Sequence, residues 1–278
     1  MSEEKEFLYN FSPILEEQQE YINFDLVAVR LNGLNISYPI DMVVVTGEYD
    51  EFLNNISVYN SGDNTTSNFQ ETDKLTLTHE IGHVFSYGSN GIIHECSNEA
   101  WAREVIDKLY DENKVLTGTY TKNKDGKYTM SRGYRGFIPF YYMLTQFMTP
   151  EEIIQYQYSP DLNIIANALI LTEKNMKSCE DNDKFKERAY GLLSKLDNKF
   201  ENQESIYFSD VACYALKELD YYYKIKNGKS IYDDLNMFLL TNTIPYYNKF
   251  LEKNDPSFYK QNNIEEREKI FLQINRIS

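Results

Sequence analysis

The chain has 278 residues, with 28 Lys and Arg against 43 Asp and Glu, so its formal net charge at pH 7 is −15. A surface this acidic repels phosphate backbones and anionic lipids, which argues against nucleic acid and membranes as partners. Hydrophobic residues make up 42% of the chain, enough to build a core and too many for a disordered protein. The chain contains only 3 histidines, and all of them lie between His79 and His94. Such clustering of the histidines indicates a functional role.

The N-terminus has no basic region followed by an apolar stretch, so it does not predict a signal peptide. No segment reaches the roughly 18 apolar residues of a membrane span, so no membrane insertion is expected. As written, the chain is expected in the cytoplasm, with the mature form of an exported protein as the alternative. Cys96, Cys179 and Cys213 are far apart and form no CxxC pair, which predicts neither a disulfide framework nor a cysteine metal site. Nothing in the sequence indicates an oligomeric state.

The first part of the chain has β character. Residues 24–30 and 38–47 are rich in β-branched side chains, and residues 42–45 predict a buried strand. Residues 55–59 alternate between apolar and polar side chains, which predicts a strand with one wet face. The sequence therefore predicts a small sheet near the N-terminus.

Helices dominate the rest of the chain. One helix is predicted over residues 72–87 and a second from residue 97 or 98, followed by a hairpin over residues 119–130 around Asp125 and Gly126. From residue 136 the pattern is almost wholly helical. Pro150 and Asp161 mark helix starts, and residues 185–196, 211–223 and 264–274 show helical periodicity. We therefore predict an α+β fold with a catalytic domain over residues 1–160 and a helical C-terminal subdomain over residues 161–278.

The segment His79-Glu80-Ile81-Gly82-His83 lies in the middle of the first predicted helix. Residues four apart lie on one face of a helix, so both imidazoles can reach one divalent ion. A carboxylate next to the first histidine lies beside the metal, where it can take a proton from a metal-bound water. We therefore predict Zn²⁺ held by His79 and His83, with Glu80 as general base. Gly82 removes a side chain at a point where another element can pack closely.

A catalytic zinc site needs a third protein ligand. The following segment offers His94, Glu95 and Glu99. We favour Glu99, because it lies in the first turn of the helix predicted from residue 97, while His94 and Glu95 precede that helix. His94 and Glu95 stay open as alternatives, and Arg103, four residues after Glu99, is a possible partner of its carboxylate.

Attack of water on a carbonyl also needs a donor for the developing oxyanion, and a tyrosine hydroxyl can serve. The chain has 24 tyrosines, so residue type alone cannot select one. Tyr134 stands out because it follows the predicted hairpin and precedes a long apolar helix.

These motifs resemble those of the gluzincin clan of zinc metallopeptidases, in which HExxH is followed by an Asn-Glu-Ala or Asn-Glu-Gly segment and then by a tyrosine shortly before Gly-Phe at a helix start. The order and spacing are most similar to the aminopeptidase-N type family and its minigluzincin-like relatives. The matching segments here are residues 79–83, 97–101 and 133–144, within about a third of the chain. The resemblance implies a zincin-like catalytic domain with His79, His83 and Glu99 as zinc ligands. It also implies Glu80 as general base and Tyr134 as oxyanion stabiliser.

The expected function is therefore that of a protease: a metalloprotease, that is, a hydrolase that cleaves peptide bonds in a peptide or protein substrate with a zinc-activated water. By analogy with this clan, the strand at residues 55–59 is expected to form the edge of the cleft and to pair with an extended substrate. The alternative is a catalytically silent protein that binds zinc and a partner on a peptidase scaffold. Glu80 favours the enzyme, since a structural metal site has no use for a base beside its ligands.

Overall fold

The structure is a computed structural model, and it describes residues 3–39, 47–59, 69, 74–87, 91–110, 120–122, 128–130, 137–176 and 203–254. The helices in the first part of this range are α1 Glu3–Tyr9, α2 Ser12–Glu17, a 3-10 turn Gln19–Tyr21, α3 Phe24–Gly33, α4 Lys74–Phe85 and α5 Ile92–Tyr110. Those that follow are α6 Ile138–Leu144, α7 Pro150–Tyr158, α8 Leu162–Met176, α9 Gln203–Asn227, α10 Tyr232–Phe238, a π-helical turn Leu239–Thr243 and α11 Ile244–Asn254. The strands are β1 Asn35–Ser37, β2 Gly47–Asp50, β3 Asn55–Val58, β4 Tyr120–Lys122 and β5 Tyr128–Met130.

The described chain is mostly helical, with a small three-stranded sheet, which agrees with the predicted α+β class. The predicted hairpin is confirmed, because β4 and β5 pair antiparallel with Tyr120 opposite Met130. Pro150 begins α7, and α8 begins directly after Asp161, both as predicted. The segments at 42–45, 185–196 and 264–274 lie outside the described residues. None of the described helices is long and apolar enough to cross a membrane.

The three-stranded sheet has the order β1-β3-β2. β3 pairs parallel with β1, where Ile36 faces Ile56, and antiparallel with β2, where Gly47 faces Val58. The strand predicted at 55–59 is therefore confirmed, but its expected wet face is wrong, because Ile56, Ser57 and Val58 are all buried. The expectation that it forms a cleft edge is also wrong. Both sides of β3 already carry strand partners, and among the described strands β1 and β2 are the outer ones.

The strand predicted at 24–30 is also wrong, because these residues form helix α3. The Asn23 side chain caps this helix by accepting a hydrogen bond from the backbone N–H of Leu26 at 3.1 Å. Val27 and Arg30, three residues apart, are its buried positions, which is helical rather than strand periodicity. A capped start and one buried stripe outweigh the β propensity of two valines.

Arg30 ties α3 to the end of α4. Its buried guanidinium donates Nη1 hydrogen bonds to the carbonyl oxygens of Val84 at 3.1 Å and Ser86 at 2.5 Å, where the last carbonyls of α4 need partners. A cation at this position also complements the negative end of the helix dipole. Its other nitrogen, Nη2, is ion-paired with Glu51, in the turn between β2 and β3. One side chain thus fixes the end of α4 against both α3 and the sheet.

The chain divides into two compact units, and the division falls within α5. The first comprises Met1–Asn90, Ser97–Gly133 and Ile154–Pro160, and the second comprises Gly91–Cys96, Tyr134–Ile153 and Asp161–Ser278. A boundary between the units also lies between Pro160 and Asp161. Residues 91–96 and 134–153, which the sequence assigned to the catalytic domain, group with the helical C-terminal part.

The first unit holds a hydrophobic core between the sheet, α4, α5 and the N-terminal helices. The apolar side chains of α4 face this core. The most buried members are Phe11, Ile56, Leu77, Ile81, Val84 and Ala102. Aromatic rings close one end, where Trp101 lies edge-on to Phe85 with ring centroids 6.0 Å apart.

The second unit is built from helices, with α9 packed on α8 and α10 packed on both. An aromatic group joins α6 to α11, where the Tyr142 ring lies 5.1 Å from that of Tyr247 and 5.2 Å from that of Phe250. The first turn of α5 belongs to this unit and is held by α9. The Glu218 carboxylate accepts a hydrogen bond from the backbone N–H of Ile93 at 3.1 Å.

Candidate metal centre

His79, Glu80 and His83 lie on α4 as the motif predicts. His79 and Glu80 are almost completely buried, at 1% and 2% exposure, and His83 is half-buried. The two Nε2 atoms of the histidines lie 3.2 Å apart, so both imidazoles point to one place. The ring centroids are 5.0 Å apart and the rings are nearly perpendicular. Helical spacing of four residues therefore brings these two side chains together, as expected.

Helix α5 begins at Ile92 and not at residue 97 or 98, so the predicted start of this helix is wrong. The cap that starts it comes from far along the chain, since Glu218 accepts the N–H of Ile93. Gly91 makes this approach possible, because a β-carbon at position 91 would lie 2.0 Å from Oε1 of Glu218. The first turn of the helix is formed by the hydrogen bond from the N–H of Glu95 to the carbonyl oxygen of Gly91 at 3.1 Å. His94 and Glu95 are consequently on a helix, one turn before Asn98 and Glu99.

The carboxylate that joins the two histidines is Glu95. Ligand atoms of His79, His83 and Glu95 all lie within 4.8 Å of one another, a separation that one metal ion can bridge. Among the described residues, no other group of His, Cys, Asp and Glu side chains meets this geometry. His94 is fully buried in the same turn and is not part of the group. The donor set that can hold a metal ion is thus two imidazoles and one carboxylate.

Glu99, the favoured third ligand, contacts the other side of His79. Its Oε2 lies 2.9 Å from Nδ1 of His79, and its Oε1 accepts a hydrogen bond from Nε of Arg103 at 2.7 Å. The partnership of Arg103 with Glu99 is therefore as predicted. Both side chains are buried, Glu99 at 3% and Arg103 at 1% exposure. In this arrangement the Glu99 carboxylate contacts Nδ1 of His79, and the carboxylate grouped with the two histidines is that of Glu95.

The charge of Glu99 fixes the tautomer of His79. Burial by itself raises the pKa of the Glu99 carboxyl, but the Arg103 guanidinium and the hydrogen bond from His79 outweigh it and hold the pKa below its ordinary value. An ionised carboxylate only accepts hydrogen bonds, so Nδ1 of His79 carries the proton. The lone pair is then on Nε2, the atom that faces His83. This is the tautomer a metal ligand needs.

A second polar network holds the backbone of α4 at His79. The Asn98 amide donates to the carbonyl oxygen of His79 at 2.8 Å and accepts from Gln157 Nε2 at 2.7 Å. The Oε1 atom of Gln157 in turn accepts a hydrogen bond from Ser97 Oγ at 2.8 Å. The close approach depends on Gly82, because a β-carbon there would lie 1.9 Å from Oδ1 of Asn98. The prediction that Gly82 admits a neighbouring element is confirmed.

Glu80 points toward the sheet rather than toward α5. A β-carbon at position 47 would lie 2.7 Å from Oε1 of Glu80 and 2.7 Å from Cγ2 of Thr76, so the backbone of Gly47 passes directly beside the carboxylate. Gly47 begins the edge strand β2. The candidate base thus lies next to a sheet edge, although not the edge expected from the sequence.

Tyr134 lies outside the described residues, so its assignment as oxyanion stabiliser stays a prediction. Sequence reasoning kept Glu95 only as an alternative to Glu99, and it missed the network of Asn98 and Gln157. The signal for Glu95 was present in its spacing of four residues from Glu99, which puts both carboxylates on one helix face once the helix is known to begin earlier. No pattern near Gln157 predicts its hydrogen bond to Asn98, because Gln157 lies on a different helix, α7.

Comparison with models of known protein families, with curated proteins and with solved structures found no match to this chain.

Proposed function

We propose that the chain is a zinc-dependent metallopeptidase of gluzincin type, with a zincin-like catalytic region within residues 1–160. The observation that carries this proposal is the convergence of His79 and His83 Nε2 at 3.2 Å, with the buried carboxylate of Glu80 next to them in the chain. Two nitrogens bound to one tetrahedral zinc ion at 2.0–2.1 Å lie about 3.3 Å apart, which fits this spacing. Two histidines and one glutamate are also a ligand set of catalytic zinc.

The proposed ligands are His79, His83 and Glu95, with Glu99 as the carboxylate that orients His79. When bound, zinc would lower the pKa of water and polarise the scissile carbonyl. Glu80 takes the proton of the attacking water and passes it to the leaving amine. Gly47 leaves room for the Glu80 carboxylate beside β2. Tyr134 keeps its predicted role as donor to the oxyanion.

Support for a catalytic rather than a structural site comes from Glu80. A structural zinc site fills all four positions with protein ligands, whereas three ligands leave a position for water. A buried carboxylate that is not a ligand, next to a three-ligand set, matches the needs of hydrolysis. The alternative of a silent zinc-binding protein explains the ligands but gives Glu80 no task.

The decisive experiment compares wild type with Glu80→Gln. Bound metal is measured by mass spectrometry, and cleavage is measured on a mixed peptide library. We expect one zinc per chain in both proteins and cleavage by wild type alone. A matched control, Glu151→Gln at an exposed position on α7, should bind zinc and cleave like wild type. Wild type without zinc would contradict the metal site, and wild type with zinc but no cleavage would favour the silent alternative.

A further inference from the structure

The turn between β2 and β3 displays two large apolar side chains to solvent. Phe52 is fully exposed and Leu53 is 74% exposed. Single exposed hydrophobic residues are ordinary, but two adjacent ones at the tip of a hairpin form a protruding apolar surface. We call Phe52 and Leu53 the apolar tip.

The turn is fixed by polar contacts on both sides of the tip. The Asp50 carboxylate accepts the backbone N–H groups of Phe52 at 2.9 Å and Leu53 at 3.0 Å. Asn54 adopts a left-handed backbone conformation with a φ of 47°. Its side chain donates to the carbonyl of Arg30 at 2.7 Å and accepts from the Tyr49 hydroxyl at 2.9 Å. These contacts hold the apolar tip in an ordered turn.

The apolar tip directly follows strand β2, which passes beside the candidate base Glu80. β2 runs from Gly47, beside the Glu80 carboxylate, to Asp50, which anchors the turn. At about 3.3 Å per residue, the strand covers about 10 Å. An extended peptide at the candidate site would thus reach the apolar tip within about three to six residues of the bond to be cleaved.

The negative charge around the apolar tip indicates which kind of molecule can bind there. Residues 47–59 include Glu48, Asp50 and Glu51 and contain no lysine or arginine. Arg30, the cation that contacts this turn among the described residues, is buried and ion-paired with Glu51. Together with a net charge of −15, this field repels anionic lipids and attracts cationic segments. The partner it fits has apolar side chains flanked by basic ones.

We propose that the apolar tip is an exosite that binds an apolar and basic segment of a polypeptide substrate, a few residues from the scissile bond. This rests on the proposed peptidase function. Phe52 supplies an aromatic anchor of the kind that dominates binding interfaces, and the acidic residues around it favour a cationic rim. The substrate class is then an extended polypeptide rather than a short peptide.

The test separates binding from cleavage. Two peptides of about 25 residues share one cleavage site taken from the library. To one side of this site, the first peptide carries a block of Leu, Phe, Lys and Arg. The second carries a block of Ser and Glu at the same place. Binding to Glu80→Gln protein is measured by fluorescence anisotropy, so it does not depend on turnover. We expect the apolar and basic peptide to bind at least tenfold more tightly, and Phe52→Ser with Leu53→Ser to remove this preference.

A matched control removes two exposed apolar side chains elsewhere. Tyr221 and Ile225 on α9 are 58% and 56% exposed, and their double replacement by serine should keep the full preference. The melting temperature of both double variants should equal that of the parent, because none of these side chains is buried. In active protein, the ratio of kcat/KM for the two peptides should fall at least tenfold on loss of the tip alone.

Other outcomes overturn the proposal. Equal binding of both peptides, or a preference that survives loss of the tip, would remove the exosite. Binding to phosphatidylcholine vesicles that depends on the tip, without peptide binding, would assign the surface to lipid. Tip-dependent dimerisation in sedimentation, again without peptide binding, would assign it to a second copy of the chain. Absence of cleavage by wild type would refute the peptidase function, while anisotropy with the same two blocks on one arbitrary central sequence would still decide whether the tip binds apolar and basic segments.

Discussion

Two of the carboxylates of α5, Glu95 and Glu99, should respond oppositely to mutation. Glu99 is buried in an ion pair with Arg103, whereas Glu95 is half-buried and grouped with the two histidines. Glu99→Gln keeps a side-chain oxygen but leaves the Arg103 guanidinium, 1% exposed, without its counter-charge. Breaking a buried pair costs about 3–5 kcal/mol. We expect the metal-free variant to lose about 3 kcal/mol, or about 6–12 °C in melting temperature.

Zinc affinity should show the reverse order. A residue that orients a ligand contributes about 10–100-fold to metal affinity, so Glu99→Gln should weaken zinc binding within that range. Glu95→Ala removes a proposed ligand, and the loss should exceed 100-fold. Its metal-free stability should fall by less than that of Glu99→Gln, since Glu95 is not part of the buried ion pair.

Both quantities can be measured on the same samples. Melting of chelator-treated protein gives the metal-free stability, and competition with a chromophoric chelator at neutral pH gives the zinc dissociation constant. Glu252→Ala, at an exposed position on α11, serves as the control that changes neither. The reasoning fails if Glu99→Gln abolishes zinc binding without loss of stability while Glu95→Ala still binds one zinc. That result would restore Glu99 as the third ligand.

Three further predictions concern the scaffold of the site. Gly82→Ala should lower the unfolding free energy by about 1–3 kcal/mol in urea titrations, because the Asn98 amide is held by two hydrogen bonds and cannot withdraw from the added β-carbon; unchanged stability would contradict the close packing of α4 and α5. Arg30→Leu should cost about 1–3 kcal/mol, because it leaves carbonyls at the end of α4 without a donor, and Arg30→Lys should recover only part of this loss; full recovery would show that charge alone matters. Burial raises the pKa of the Tyr158 hydroxyl despite the hydrogen bond from Trp101. The folded state therefore favours the neutral phenol, and the stability linked to it is present below the ordinary pKa of 10.0 and is lost as the pH rises above it. Wild type should thus lose more stability than Tyr158→Phe between about pH 9 and about pH 11, and parallel pH curves would refute this.

The parts of the site that follow from helical spacing were predictable from sequence. Helix α4 has one face with two histidines four residues apart and one face with apolar side chains. Both faces follow from the spacing within the helix and do not depend on distant residues. Gly82 was also readable, because a glycine in the middle of a helix has no local benefit and indicates close packing.

The errors have a common physical origin, which is that distant residues decide local structure. The start of α5 depends on Glu218, which lies 125 residues from the N–H it caps, so no window around Ile92 contains the signal. The later predicted start also favoured Glu99 over Glu95 as third ligand, since Glu95 was assigned to a loop. The position of β3 at the centre of the sheet likewise depends on pairing with both β1 and β2, which burial patterns alone do not reveal.

The ion pair of Glu99 with Arg103 has a consequence for how the protein matures. Because a buried arginine holds the glutamate in its charged form, the orientation of His79 is set by the polypeptide and does not wait for the ion. Many small zinc domains are unfolded until metal arrives. Here folding should come first and metallation second, so zinc adds stability by mass action to an assembled native state. Chelator-treated protein should therefore stay folded and take up the proposed zinc ion on dialysis, without passing through a refolding step.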